Sequence, residues 1–510
     1  MILVIHPDAL ECENDRKSLR FTIKPTGKII HEPVSQKIIK TKISGPSHLI
    51  YPDDPAPGFH VLCRRKRGDW LGMGFGNHGY HRQPARSSDE ISPETIISVK
   101  FGLFTDLGSE TRINKFLSVN ARMDIIDIFS NKNSARPDLL IRAPGRVNLI
   151  GEHTDYNDGP VLPAAIDREV KIAASGNTDS KIQLHAIDLD QETVINIADL
   201  DQKVDQDGNP LPAWACYPAG VAWALIKSGL EIHGIHAVFS SNIPIGAGLS
   251  SSAAVEVGFG YTWKALENWE IEPLEMAIIC QRAENEYVGV SCGLMDQFAS
   301  ACGVEGHALY FDTRSLEYKT APLPDDLSII IADSSVRRSL TSSGYNERRA
   351  SCESAVKYLS EYLPGIKSLR DVSPIEFAAY SEFLPRTERM RAEHVVKEIA
   401  RVDSALSALR REDGQVFGAL MYSSHASLRD LYEVSTPELD TLVELTRDLQ
   451  GCIGARLTGA GFGGCTVNLV QETYAQEFIT QLGEKYLRET GLKAQIYLCR
   501  ASQGANVTFL

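Results

Sequence analysis

Residues 244–257 read PIGAGLSSSAAVEV. Gly246 and Gly248 stand just before three serines, Ser250, Ser251 and Ser252. Val255, Phe259, Trp263 and Leu266 then recur at helical spacing, and Pro273 lies beyond them. The pattern predicts a helix that begins near Ser251. Its first N–H groups have no partner within the helix and lie at the positive end of its dipole. Glycines just ahead let the backbone approach a ligand closely. Gly246, Ala247, Gly248, Leu249, Ser250, Ser251 and Ser252 together therefore make an anion site that needs no lysine. The plainer reading, a serine-capped helix that binds nothing, stays open on this stretch alone.

A second stretch, RAPGRVNLIGEHTDY (142–156), packs Arg146, Asn148, Glu152, His153 and Asp155 around Gly145 and Gly151. Carboxylates and an imidazole this close suit sugar hydroxyls, which need acceptors and donors together. A metal site built from Glu152, His153 and Asp155 is disfavoured, because near-consecutive positions rarely converge on one ion. A third stretch, RLTGAGFGGC (456–465), leads into a strand; it reads either as a tight turn or as a loop packed against the phosphate site. In the helix predicted over 273–287, Glu284 shares a face with Ala277 and Cys280. Its carboxylate points to the apolar side and needs a cation or donor there. Glu286 instead pairs with Arg282 at i,i+4 on the surface. Asp296 sits in a short glycine-led turn, Gly293-Leu-Met-Asp296, and reads as a helix cap or as a functional carboxylate.

The chain of 510 residues carries a formal net charge of −14, which disfavours nucleic acid as a partner. No run of about 18 apolar residues exists, so no membrane span is expected. The opening MILVIHPDAL is too short for a signal-peptide core and has no basic residue ahead of it. Ten cysteines without C-x-x-C spacing point to a reducing cytoplasm and to no structural zinc. Residues 1–110 hold 15 Lys/Arg against 13 Asp/Glu and 9 of the 24 prolines, so the acidity lies beyond them. They read as an extension of unknown fold, poorly ordered or separately folded. Gly74–Gly79 fits G-x-G-x-x-G, but a dinucleotide fingerprint needs a strand before it and a helix after it. Here a basic run lies shortly before and Pro84 shortly after, so a flexible glycine-rich loop is the better reading, and the basic run 64–67 reads as a solvated loop. From about residue 111 the pattern turns regular. It predicts a helix over 113–129 and others over 251–268, 273–287 and 346–362. Strands are expected at 139–141, 169–174, 182–187, 235–239, 328–333 and 466–470, which together suggest α+β layers.

In this order the stretches resemble the galactokinases of the galactokinase–homoserine kinase–mevalonate kinase–phosphomevalonate kinase superfamily. GRVNLIGEHTDYNDG (145–159) looks like the sugar signature, and PIGAGLSSSAAVEV resembles the phosphate loop. SSGYNERRASCE (342–353), CGLMDQF (292–298) and LTGAGFGGCT (457–466) match later motifs. The similarity runs from about 111 to 510. It implies two α+β lobes, 111–320 and 321–510, with the active site between them. It implies ATP-dependent phosphorylation of α-D-galactose at the anomeric hydroxyl. By position, Asp296 is the catalytic carboxylate and Arg146 stabilises the transition state. Glu152, His153, Thr154, Asp155, Gly293 and Tyr345 contact the sugar. Gly246 to Ser252 wrap the ATP phosphates, and Ser252 and Glu284 ligate Mg²⁺. A kinase for N-acetylgalactosamine or L-arabinose is the nearest alternative. A non-catalytic galactose sensor is a further one, disfavoured because Ser250 to Ala253 are all present. The oligomeric state is left open, a monomer included.

Overall fold

The computed structural model describes residues 124–510 apart from 245 and 338–340. Within residues 1–123 it describes only the backbone of eight strand segments lying between residues 2 and 100. The chain divides into two compact units, Met1–Ala121 and Arg122–Leu510. In the first unit the segments pair antiparallel, His60–Arg64 between Trp70–Gly74 and Ile96–Lys100. Residues 75–79 of the glycine-rich hexapeptide, residues 65–67 of the basic run and residues 113–123 of the expected first helix lie outside the described residues. The helix seen there covers Ile125–Asn133.

The second unit is α+β. Its larger sheet runs, in order, Gln191–Asn196, Lys181–Ala186, Gly234–Ser241, Pro163–Asn177, Leu139–Asn148 and Asn506–Phe509. All neighbours are antiparallel except Lys181–Ala186 beside Gly234–Ser241. The strand Leu139–Asn148 carries Pro144, which has no N–H to give a ladder. Opposite it the register breaks between Ala165 and Glu169. The extra residues, 166–168, lie on Pro163–Asn177, so that is the strand that bends; Arg146 pairs with Ala165 at the edge of the break.

The helix Ser251–Leu266 packs on this sheet. Phe259 and Trp263 are fully buried in the same core as Ile141 and Ile172, each stabilising the packing by about 2–3 kcal/mol. A second sheet orders Cys452–Thr458, Cys465–Gln471, Leu327–Asp333 and Gln495–Cys499, all antiparallel. It is covered by helices that include Ala475–Thr490 and Gly414–Ser427. The final strand, Asn506–Phe509, leaves the C-terminal half and closes the edge of the larger sheet against Leu139–Arg142. The expected cut at residue 320 falls inside the strand Tyr318–Pro322, and the chain end returns across it. Among the described residues no helix is long and apolar enough to cross a membrane.

The long helix Arg386–Arg410 braces the sugar-signature segment from the C-terminal half. Glu398 is fully buried on it and accepts hydrogen bonds from the Gly151 N–H (3.0 Å) and the Ser424 hydroxyl (2.5 Å). Arg401 pairs with it at 2.6 Å. Burial alone would raise its pKa, but Arg401, His394 and Arg456 bring it down to about 2. Removing this carboxylate leaves a buried guanidinium and a buried N–H unsatisfied. Glu398→Ala is expected to cost about 3–5 kcal/mol of stability, read as a lower urea midpoint; an unchanged midpoint would show that the brace carries no weight.

Candidate active site

The phosphate stretch, described apart from residue 245, turns through Gly246 and Gly248 at positive φ into Ser250. Ser250 is the residue before the helix, in a left-handed conformation, and its side chain caps nothing. Its hydroxyl donates instead to Asp296 Oδ2 at 2.6 Å. The serine-cap reading therefore fails for Ser250, because a left-handed backbone turns the hydroxyl away from the helix's own N–H groups. Asp296 lies in the first turn of the helix Met295–Cys302 and does not cap it.

Arg146 ties these pieces together. Its Nε donates to Asp296 Oδ1 at 2.8 Å and its Nη2 lies 2.7 Å from the same oxygen. Nη1 donates to the Gly248 carbonyl at 2.7 Å, and the backbone N–H to the Leu249 carbonyl at 3.2 Å. The guanidinium is buried. A planar fork held on two acceptors by three nitrogens loses little further freedom when charge develops beside it.

Arg146, Glu152, His153, Asp155, Glu284, Gly293, Asp296 and Tyr345 all line one cavity of about 420 Å³. Glu152 is buried and held firmly. Its Oε1 accepts from the Gly459 N–H (2.8 Å) and faces Arg456 Nη1 (3.4 Å), while Oε2 accepts from Asn148 Nδ2 (3.0 Å). Burial raises its pKa against the pull of Arg456 and Arg146. His153 is buried at positive φ, with Nδ1 2.9 Å from the Tyr156 hydroxyl and Nε2 unpartnered. Burial, with the nearby His394, lowers its pKa to about 3, so the ring is neutral at pH 7. Tyr345 and Tyr432 stand around it, ring centroids 5.8 and 4.7 Å away. Burial and then the Asp296 charge raise Asp155 to about 7. Gly293 comes so close to Asp155 that a Cβ there would stand 1.8 Å from Oδ2.

Thr154 does not reach the cavity. Its buried hydroxyl sits between the Gly151 (2.9 Å) and Pro160 (2.7 Å) carbonyls, beneath the signature turn. Glu284 is buried, as its inward face predicts. The α-helix, however, ends at Arg282 and continues as one wide turn, Ala283–Val288. Burial raises the Glu284 pKa against hydrogen bonds from Cys292, Gln297 and Ser252. Ser252 and Glu284 thus stand together, both offering oxygen. Glu286 pairs with Arg282 at the surface, at 3.2 Å.

The third glycine stretch packs against the phosphate loop; a Cβ on Gly459 would stand 3.2 Å from the Gly248 carbonyl. Two arginines escape the sequence reading. Arg456 is fully buried beside Glu152; a cation inside the otherwise apolar strand Cys452–Thr458 is the signal that a buried carboxylate awaits it. Arg337 is held by Asp333 at 2.8 and 2.5 Å, with its Nε 3.2 Å from where a Gly246 Cβ would be. It carries positive charge to the outer face of the phosphate loop, and no motif marks it.

Three family models match the chain. They are the galactokinase galactose-binding signature over residues 127–176, the GHMP kinases N terminal domain over 217–304 and the GHMP kinases C terminal domain over 405–488. A galactokinase of Roseiflexus sp. (strain RS-1) is 46% identical over 376 residues, 74% of this chain and 94% of the relative. One of Chloroflexus aurantiacus is 43% identical over 73% of this chain and 94% of that protein. The crystal structure of Lactococcus lactis galactokinase complexed with galactose superposes with a TM-score of 0.71 at 34% identity, covering 75% of this chain and 98% of its own. A Methanococcus jannaschii mevalonate kinase shares the fold at 20% identity, with a TM-score of 0.50, covering 71% of this chain and 98% of its own. At this identity and coverage the chain belongs to the galactokinase family.

Proposed function

We propose that this cleft transfers the γ-phosphoryl group of ATP to the anomeric hydroxyl of galactose, giving galactose 1-phosphate and ADP. The observation that carries the reading is the contact of Asp296 with both Arg146 and Ser250. It sets the sugar-side carboxylate directly against the phosphate loop. Phosphoryl transfer needs alignment and charge neutralisation more than covalent help. A sugar hydroxyl is a poor nucleophile at neutral pH, and Asp296 accepts its proton as the bond to phosphorus forms. Arg146, already fixed on Asp296 and Gly248, offsets the negative charge that grows on the transferred group.

Glu152, His153, Asp155, Gly293 and Tyr345 hold the sugar, and Thr154 supports their turn from below. The N–H groups of 246–252 and the helix dipole hold the phosphates. The pair Ser252 and Glu284 fits Mg²⁺, a hard ion that takes oxygen donors and keeps several waters. Bound there, Mg²⁺ would neutralise charge on the ATP phosphates. We place the protein in the cytoplasm; among the described residues eight cysteines are free, as a reducing compartment requires. Nothing in the comparisons favours a kinase for N-acetylgalactosamine or L-arabinose, or a non-catalytic sensor. A panel of sugars in an ADP-release assay should show galactose as the fastest substrate, and faster turnover of L-arabinose would overturn the assignment.

Asp296→Ala should lower kcat by about a hundredfold to ten-thousandfold while ATP still binds; near-normal turnover would remove Asp296 from the mechanism. Asp155, raised to about 7, takes up a proton as pH falls through that value and loses acceptor capacity toward a sugar hydroxyl. The apparent KM for galactose should therefore rise on the acid side of about pH 7 and level off above it. In Asp155→Asn that dependence should vanish and KM stay high throughout. A wild-type KM that is flat through neutrality would show that Asp155 does not meet the sugar.

A further inference from the structure

Glu256 lies four residues beyond Ser252, on the helix that starts at the phosphate loop. Its side chain is fully buried, and its neighbours Ala253, Ala254, Val257 and Phe259 are apolar core. One hydrogen bond reaches it, from Gln297 Nε2 to Oε2 at 2.8 Å; Oε1 has no partner. The same Nε2 donates to Glu284 Oε2 at 2.6 Å. Gln297 is fully buried and follows Asp296 in the chain. One amide nitrogen therefore bridges two carboxyl groups, with one N–H for each.

Burial, then the Glu284 charge, pushes the Glu256 carboxyl well above the usual range. An acid buried among apolar side chains costs stability that a leucine there would not. Its only hydrogen-bonding contact leads to Glu284. Glu284 Oε2 also accepts from Cys292 Sγ at 3.1 Å, so that oxygen carries two donors, and Ser252 hydrogen-bonds to the same carboxylate. The Gln297 amide can hold this arrangement only while its plane is fixed, and Glu256 fixes it from the far side.

We propose that Glu256 is a positioning residue which, through Gln297, orients the Glu284 carboxylate to receive the divalent cation of the metal–nucleotide complex. This rests on Glu284 and Ser252 being the metal ligands. Outer partners of this kind change metal affinity by about ten- to a hundredfold when lost. An amide in place of Glu256 still offers a carbonyl oxygen to Gln297, whereas a leucine offers none.

The test is Mn²⁺ binding to the enzyme–ADP complex, followed by electron paramagnetic resonance, alongside thermal melting. Glu256→Leu should weaken Mn²⁺ binding by about ten- to a hundredfold with a melting temperature equal to or above that of the wild type. Glu256→Gln should stay within about threefold of the wild type. Wild-type Mn²⁺ affinity in Glu256→Leu, or equal losses in the two variants, would overturn the proposal. If Glu256→Leu does not fold, Gln297→Met breaks the same link from the other end; the same weakening is expected, and unchanged affinity overturns the role. Glu284→Gln separates the two readings. If it alone weakens Mn²⁺ binding, the positioning role fails and the metal site stands; if it has no effect, the metal assignment fails and the proposal falls with it.

Discussion

The site depends on one guanidinium being held in one place. Arg146 bonds to Asp296 from one side and to the Gly248 carbonyl from the other, with its own N–H on Leu249. Three segments far apart in sequence meet in that contact: the signature strand, the phosphate loop and the first turn of the helix Met295–Cys302. Its placement begins in covalent geometry. Pro144 cannot give a ladder hydrogen bond, and Arg146, two residues on, pairs with Ala165 at the edge of the break in register. A lysine there would bring charge without the fork, and the simultaneous hold on a carboxylate and a carbonyl would be lost.

The C-terminal half secures the other side of the cleft with polar groups that are expensive to bury. Arg456, fully buried, answers Glu152 and the Asn148 carbonyl; Glu398 answers the Gly151 N–H; His394 Nε2 lies 3.2 Å from the Glu152 carbonyl. Arg456 finds its carboxylate in the signature segment, while Glu398 is answered in its own half as well, by Arg401 and Ser424. The polar interior thus couples the two halves and holds the turn that the proposed reading places against the sugar.

Much of this was legible in local pattern. The expected strands and the helices over 251–268 and 346–362 have counterparts because apolar periodicity reports burial directly, and the inward face deduced for Glu284 is where its carboxylate lies. What escaped pattern is what depends on residues far away in sequence. Ser250 looked like a cap because Ser at a helix start usually is one; its bond to Asp296 spans 46 residues. Thr154 looked like a sugar contact by position, but its hydroxyl is engaged by two carbonyls of its own turn. The helix 273–287 ends early in one wide turn, a local rearrangement that periodicity does not register. Arg337 has no local signal, since its role is set by where the neighbouring strand ends.

The charge balance of the cleft bears on how a nucleotide can enter it. Among the described residues lining the cavity, Glu152, Asp155, Glu284 and Asp296 are carboxylic acids and Arg146 supplies the cation, His153 being neutral. The upward shifts of Glu152, Asp155 and Glu284 show acids crowded into a dry space. A polyphosphate brought to such a wall is repelled wherever no positive charge intervenes. Arg146 is already committed to Asp296, and Arg337 stands on the far side of Gly246. On the proposed assignment of Ser252 and Glu284 as oxygen donors, a divalent cation carried in with the nucleotide would supply the neutralising charge that a lysine does not.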